Sequence, residues 1–260
     1  RSSDLAFIAY KVIKQGAGVA DAAAPLWVFL HEGLGSLSMW RDFPQQLCDE
    51  VGARGLVYSR PGYGQSTPRA ADEVWGSDFM HQQAHTVLPA LLQKLGVDTD
   101  VNPPWLLGHS DGGSIALLYA AQFPDKAAGL IVLAPHIMVE DITVENIVKA
   151  RTAYETTDLP KRLARHHADP DSAFWGWNRI WLSPEFRNWT IEADLPKITC
   201  PVLAIQGLDD EYGTVQQVHG IAQRVPQTQL LEIPQCGHSP HRDAPHQVIN
   251  AALHCIHNHH

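Results

Sequence analysis

The sequence predicts an α/β protein: a mostly parallel twisted sheet with helices on both faces and an inserted helical cap. Three observations carry that prediction. Short apolar runs alternate with segments of helical periodicity, the pattern of a parallel sheet whose strands are buried on both faces. One of these runs passes directly into Gly108-His109-Ser110-Asp111-Gly112 and then into a helix-forming stretch. Between Pro135 and Pro196 the strand signal stops, and it resumes immediately afterwards.

Taken in order, residues 5–14 carry strand-forming side chains and lead to Gly16 and Gly18, so an antiparallel edge strand or hairpin arm is expected, followed by an alanine-rich turn. Residues 26–30 are continuously apolar, as a central strand requires. They enter the small-residue loop His31-Glu32-Gly33-Leu34-Gly35-Ser36 and then an amphipathic segment over 40–47. Residues 55–58 form the next strand and end at Ser59-Arg60-Pro61-Gly62-Tyr63-Gly64-Gln65-Ser66. Over 79–95, Val87, Leu88, Leu91, Leu92 and Leu95 recur at helical spacing, with a bend expected at Pro89, which has no amide hydrogen. Residues 105–107 are a buried strand end, 114–121 a helix that is small and apolar toward the sheet, and 129–134 another buried strand. Residues 135–196 read as helical, with Trp175, Trp177, Trp181 and Trp189 among charged residues. They are expected as a cap inserted into a core formed by residues 1–134 and 197–260. Strands over 202–205 and 229–233 and helices over 215–225 and 246–256 complete that core.

Composition bounds the function. The 260 residues include 28 acidic and 19 basic side chains, a net charge of −9, with no basic cluster, so nucleic-acid binding has no electrostatic support. Hydrophobic residues at 45% and charged residues at 18% fit a globular protein. No apolar run reaches membrane-span length and no charged-then-apolar leader is present, so no membrane association and a cytoplasmic location are expected. The chain opens at Arg1 without a methionine, which is read as removal of an N-terminal piece. The closing His-Asn-His-His reads equally as native or as the remnant of a tag. Cys48, Cys200, Cys236 and Cys255 lie far apart without paired spacing, the pattern of free thiols in a reduced compartment. Monomer and homodimer both remain open.

The stretch 105–121 organises the rest. A serine on a sharp turn between strand and helix has strained backbone angles, and side chains at Gly108 and Gly112 would collide with the neighbouring elements. Such a turn lifts the Ser110 hydroxyl above the sheet edge and aims the first N–H groups of the helix at whatever it attacks. On this motif and this element order the sequence resembles the α/β-hydrolase superfamily over essentially the whole chain. That resemblance implies a nucleophile, an acid and a histidine in that order. Ser110 takes the first position. His238, in Gln235-Cys236-Gly237-His238, follows the last strand where the family places its base. Asp209 and Asp210 compete for the acid, and the family's Gly-x-x-Asp spacing from Gly207 selects Asp210, leaving Asp209 as a turn residue or helix cap. The resemblance also implies an oxyanion hole from the amides of Asp111 and Gly33, with Leu34 as the fallback donor. Two departures stand out: Glu32 replaces a glycine of the family's His-Gly-x-x-Gly loop, and Ser59 replaces the aspartate of its Asp-x-x-Gly-x-Gly-x-Ser turn.

No cofactor is expected. His81 and His85 stand one helical turn apart, and Cys236, His238 and His241 are close in sequence, but neither group has convincing zinc spacing. Leu34, His136, Trp175 and Trp177 are assigned to substrate binding. The cap tryptophans have two readings, packing the cap onto the core or closing over an apolar acyl pocket. The expected partner is a small molecule with an apolar acyl group, cleaved as an ester, thioester or lactone through an acyl-enzyme. Hydrolysis of a C–C bond or an enol-lactone is a neighbouring reading, and a receptor that keeps the same residues but turns over very slowly is the alternative from a different class.

Overall fold

The computed structural model describes residues 7–14 and 23–259. Leu5, Ala6, Gly16, Gly18, the first part of the alanine-rich turn and His260 lie outside the described residues. Among the described residues seven strands form one sheet: β1 (Tyr10–Ile13), β2 (Leu26–Leu30), β3 (Arg54–Tyr58), β4 (Trp105–His109), β5 (Gly129–Leu133), β6 (Val202–Gly207) and β7 (Thr228–Ile233). Their order is β1-β3-β2-β4-β5-β6-β7, with β1 antiparallel to β3 at one edge and every other pairing parallel.

The apolar runs form central strands because their alternate side chains feed two separate cores. Val28 and Leu30 enter the core on one face, whereas Trp27 and Phe29 enter the core on the other. Leu106, Leu130 and Val132 join the first; Leu107, Ile131 and Leu133 join the second. A strand with both faces covered has no polar positions to spare, which is why the runs read as continuous. Each such side chain contributes about 1.5–3 kcal/mol of burial.

Helices α1 (Phe43–Val51), α2 (Phe79–Gln82), α3 (Leu88–Lys94), α4 (Asp111–Gln122), α8 (Gln216–Arg224), α9 (Pro240–Asp243) and α10 (Pro245–His257) cover the sheet. The bend expected at Pro89 takes the form of a π turn over Gln83–Val87, between α2 and α3. Proline supplies no N–H to the carbonyl one turn before it, and a wider turn relieves the ring clash at that point. Short helix α9 has no counterpart in the sequence reading.

Between β5 and β6 lie α5 (Asp141–Thr156), α6 (Leu159–Leu163) and α7 (Pro170–Trp181). Pro170 and Asp169 start α7, the aspartate accepting a hydrogen bond from the Ser172 N–H at 2.9 Å. Ile147, Leu163, Phe174, Trp177 and Trp181 are buried in the same core as Val28 and Leu30, so these helices share the sheet's interior. One isolated bridge, Met138 with Thr190, closes the base of the insertion where no strand was expected. Among the described residues, no helix is long and apolar enough to cross a membrane.

The chain runs from β2 to β3 on one side and then returns to β4 on the other side of β2. Connections after β2 and β4 therefore diverge, opening a crevice at the carboxyl ends of these strands.

Candidate active site

Both connections that flank the crevice are the ones the sequence singles out. Ser110 sits between β4 and α4 at φ 54°, a left-handed conformation that a non-glycine residue adopts only under constraint. Its N–H donates to the Leu133 carbonyl at 2.8 Å, and its carbonyl accepts from Gly113 at 2.8 Å and Ser114 at 3.1 Å. A β-carbon at Gly108 would stand 2.2 Å from the Gly112 carbonyl oxygen, and one at Gly112 would stand 2.1 Å from the Leu30 carbonyl oxygen. The turn closes only because both positions lack side chains.

Ser110, His238 and Asp210 meet in one hydrogen-bonded line. Ser110 Oγ is 3.0 Å from His238 Nε2, and His238 Nδ1 is 2.9 Å from each carboxylate oxygen of Asp210. A carboxylate accepts, so Nδ1 carries the proton and Nε2 is left to accept from the serine. Asp210 is buried, and the Tyr212 N–H at 2.7 Å and Gln206 Nε2 at 2.7 Å complete its hydrogen bonding. Burial pushes its carboxyl up, but the hydrogen bond and charge of His238 outweigh that and hold it below the usual carboxylate range. Burial works downward on His238, and the hydrogen bond and charge of Asp210 reverse it, raising the imidazole above its ordinary value. Asp209 is exposed and points its backbone N–H to the Cys236 carbonyl, a turn position rather than a helix cap.

Three residues that the sequence reading left without a role hold these parts together. His109 places Nδ1 2.8 Å from a Glu32 carboxylate oxygen and Nε2 2.6 Å from the His238 carbonyl oxygen. Burial pushes the Glu32 carboxyl up, but the His109 hydrogen bond and charge outweigh it and hold Glu32 below the usual range. An ionised carboxylate and a carbonyl only accept, so each ring nitrogen of His109 faces an acceptor. Glu32, in the position where the family has glycine, thus ties the loop after β2 to the elbow and the His238 loop. The third residue is Arg60, whose guanidinium donates to the carbonyls of His31 at 2.5 Å and Glu32 at 2.9 Å. His31 donates Nδ1–H to the Glu32 carbonyl at 2.7 Å and accepts the Arg60 N–H on Nε2 at 3.0 Å. Burial, and next the Arg60 charge, keep His31 well below its ordinary pKa and hence neutral.

Glu32→Ala is expected to destabilise the fold by on the order of 2 kcal/mol, because it removes the acceptor of the buried His109 Nδ1 and leaves that nitrogen unpaired. Glu32→Gln, which keeps an acceptor, should recover part of that loss. Denaturant unfolding of the two variants checks both expectations.

A cavity of about 330 Å³ opens beside Ser110. Gly33, Leu34, Asp111, His136, Trp177 and His238 all line it, with Ile147, Ala150, Leu159 and Leu163 as an apolar end. Burial pushes the Asp111 carboxyl up to about 6, against the opposing pull of Arg60 and of the Trp181 Nε1–H bond at 3.3 Å. Trp175, assigned to the pocket from sequence, is instead half-buried on the other side of α7. There it packs edge-on against Tyr154 and Phe174 with Arg179 over its ring. Residues two apart on a helix face away from one another, whereas Trp177 and Trp181 are four apart and share the cavity face. That spacing was the available signal.

His81 and His85 have ring centroids 5.7 Å apart. Among the described residues, no group of three or more His, Cys, Asp or Glu side chains is arranged to hold a metal ion. The four cysteines are buried and free.

Known proteins give the same frame. An sn-1-specific diacylglycerol lipase of Mus musculus is 27% identical over 261 residues, covering 89% of this chain and 80% of that protein. A 2-hydroxy-6-oxo-6-phenylhexa-2,4-dienoate hydrolase of Burkholderia cepacia is 23% identical, covering 88% and 85%. The solved structure of a thermophilic esterase from Thermogutta terrifontis superposes with a TM-score of 0.71 at 21% identity, over 98% of this chain and 94% of that one. The family model for the alpha/beta hydrolase family matches residues 27–252, from the second strand to the last helix, and the chain belongs to that family.

Proposed function

We propose that the protein is a serine hydrolase that cleaves a small carboxylic ester, thioester or lactone through an acyl-enzyme. The observation that carries this reading is the 3.0 Å approach of His238 Nε2 to Ser110 Oγ on the wall of a largely apolar cavity. His238 takes the serine proton as Oγ attacks the carbonyl, and Asp210 holds the ring in the tautomer that can do so. The oxyanion is met by the amides of Gly33 and Asp111; loss of one such donor costs about 3 kcal/mol of barrier. His238 then protonates the leaving group, and water repeats the sequence to release the acid.

Residues 135–196 act in this reading as a cap over the acyl group, with Leu34, His136 and Trp177 against the substrate. Trp177→Ala is expected to change the relative kcat/KM of short- and long-chain esters several-fold, whereas Trp175→Ala should leave that ratio unmoved. Steady-state kinetics on a chain-length series of p-nitrophenyl esters separates the two.

The pH profile has a determined sign. His238 must be neutral to accept the proton, and its pKa is raised, so protonation removes the base at a higher pH than for a free imidazole. The acid limb of kcat/KM on a neutral ester is therefore expected above the ordinary value of about 6.5. A limb centred well below that value would contradict the role of Asp210. The class of bond is tested by turnover of the purified protein on activated esters, thioesters, lactones and dienoates, the last named for the Burkholderia cepacia relative. No turnover in any class, with tight binding of one compound, would favour a receptor.

A further inference from the structure

His136 lines the cavity, and the proposed chemistry does not use its ring nitrogens. It follows β5, and its backbone is fixed on both sides by a single hydroxyl: Ser114 Oγ donates to its carbonyl at 2.5 Å and accepts from its N–H at 3.1 Å. The ring is 3% exposed, lies on the cavity wall and stands edge-on to Trp181 at 4.9 Å. Its centroid is 6.0 Å from that of His238. Its Nδ1 is buried without a hydrogen-bond partner among the described residues.

A phenyl ring would pack on Trp181 equally well, and leaving a buried polar atom unmade costs about 1–3 kcal/mol. The packing of the chain alone gives no reason for an imidazole here. Burial, the largest influence, brings the ring down to about 3, so at neutral pH it offers one N–H and one acceptor nitrogen. Asp210 and His238 are engaged with each other, and the neighbouring Gln217 amide oxygen accepts from the N–H of Ile137 at 2.7 Å. The polar part of the cavity, with Asp111, His136 and Tyr212, lies beside Ser110, and the apolar part lies under α5 and α6.

We propose that the acyl group of the natural substrate carries an oxygen substituent, hydroxyl or keto, within the first few carbons of the scissile carbonyl, and that His136 binds it. This rests on the serine-hydrolase reading and specifies its substrate class: an oxygenated acyl group with a hydrocarbon remainder. A site that hydrogen-bonds a substrate oxygen discriminates against the analogue lacking it, because the buried partner is then left unpaired.

The test compares p-nitrophenyl 3-hydroxybutanoate and 4-oxopentanoate with the plain pentanoate, in the wild type, His136→Phe and His136→Gln. In the wild type, kcat/KM for at least one oxygenated ester should exceed that for the pentanoate by tenfold or more. His136→Phe should lower that ratio by at least tenfold, and His136→Gln, which keeps an N–H donor, should retain part of it. Whichever oxygenated ester responds distinguishes hydroxyl from keto. A wild-type preference for the pentanoate, or a ratio that His136→Phe leaves unchanged, would overturn the proposal. Should His136→Phe fail to fold, the wild-type preference and the His136→Gln ratio decide the matter in the same way. Labelling of Ser110 by a fluorophosphonate in the same preparations separates the two failures. Labelled protein without the preference sinks only the substrate class, and unlabelled, inert protein sinks the hydrolase reading with it.

Discussion

Ser110→Ala is expected to lower kcat on any activated ester by about 10⁴- to 10⁶-fold while the fold persists. Among the described residues the serine hydroxyl has one hydrogen bond, to His238 Nε2. Backbone strain at φ 54° is the same for alanine as for serine, so the substitution neither relieves nor adds to it. The melting temperature should move by no more than about 2 °C, the scale of a change below 1 kcal/mol in a chain of this size. A fluorophosphonate probe should label Ser110 in the wild type and label nothing in the variant. Labelling of a different serine, with Ser110 silent, would overturn the assignment of the nucleophile.

Asp210→Asn should lower kcat by about 10⁴-fold, and Asp209→Asn should be close to silent. Both oxygens of Asp210 face His238 Nδ1, and each also accepts from a further donor, one from the Tyr212 N–H and the other from Gln206 Nε2. An amide puts its NH₂ opposite one of these donors. Neither conflict is relieved without loss, because turning Gln206 over would also break its Nε2 hydrogen bond to the Gly213 carbonyl at 3.1 Å. Where the new NH₂ is the group that faces His238 Nδ1, that nitrogen becomes the acceptor and the proton moves to Nε2. A histidine with Nε2–H points a donor at Ser110 and cannot take its proton. Asp209 has an exposed side chain in a turn, so the same substitution there disturbs no such account. Stopped-flow or steady-state kcat for the two variants measures the contrast; equal effects, or reversed ones, would show that the acid has been misassigned.

Much of the frame was legible because it is local. Runs such as 26–30 and 129–133 read as strands without any partner in view, since a strand covered on both faces must be apolar throughout. The elbow was legible for the same reason: Gly108, Ser110 and Gly112 meet a steric demand set within a few residues. Spacing from Gly207 selected Asp210, and it is Asp210 whose carboxylate reaches His238. The two pocket tryptophans were separable in principle by helix periodicity, and only one of the pair chosen lies on the cavity face. The π turn before Pro89 was less accessible, because a proline within a helical pattern announces a defect without specifying which of several geometries absorbs it.

Sequence alone determined the alternation of strands and helices and the strained turn at Ser110, both consequences of short-range sterics and burial. Tertiary structure decided which distant polar groups meet. Glu32 and His109 are 77 positions apart, and His109 and His238 are 129 apart. They touch because β2 and β4 are neighbours across the point where the strand order reverses, and β6 brings the Asp210 turn to the same end of the sheet. A hydrogen bond depends on angles and distances fixed by that packing, so nothing in the local pattern could reveal that Glu32 stands opposite the His109 imidazole, or that His136 carries a buried nitrogen with no partner among the described residues.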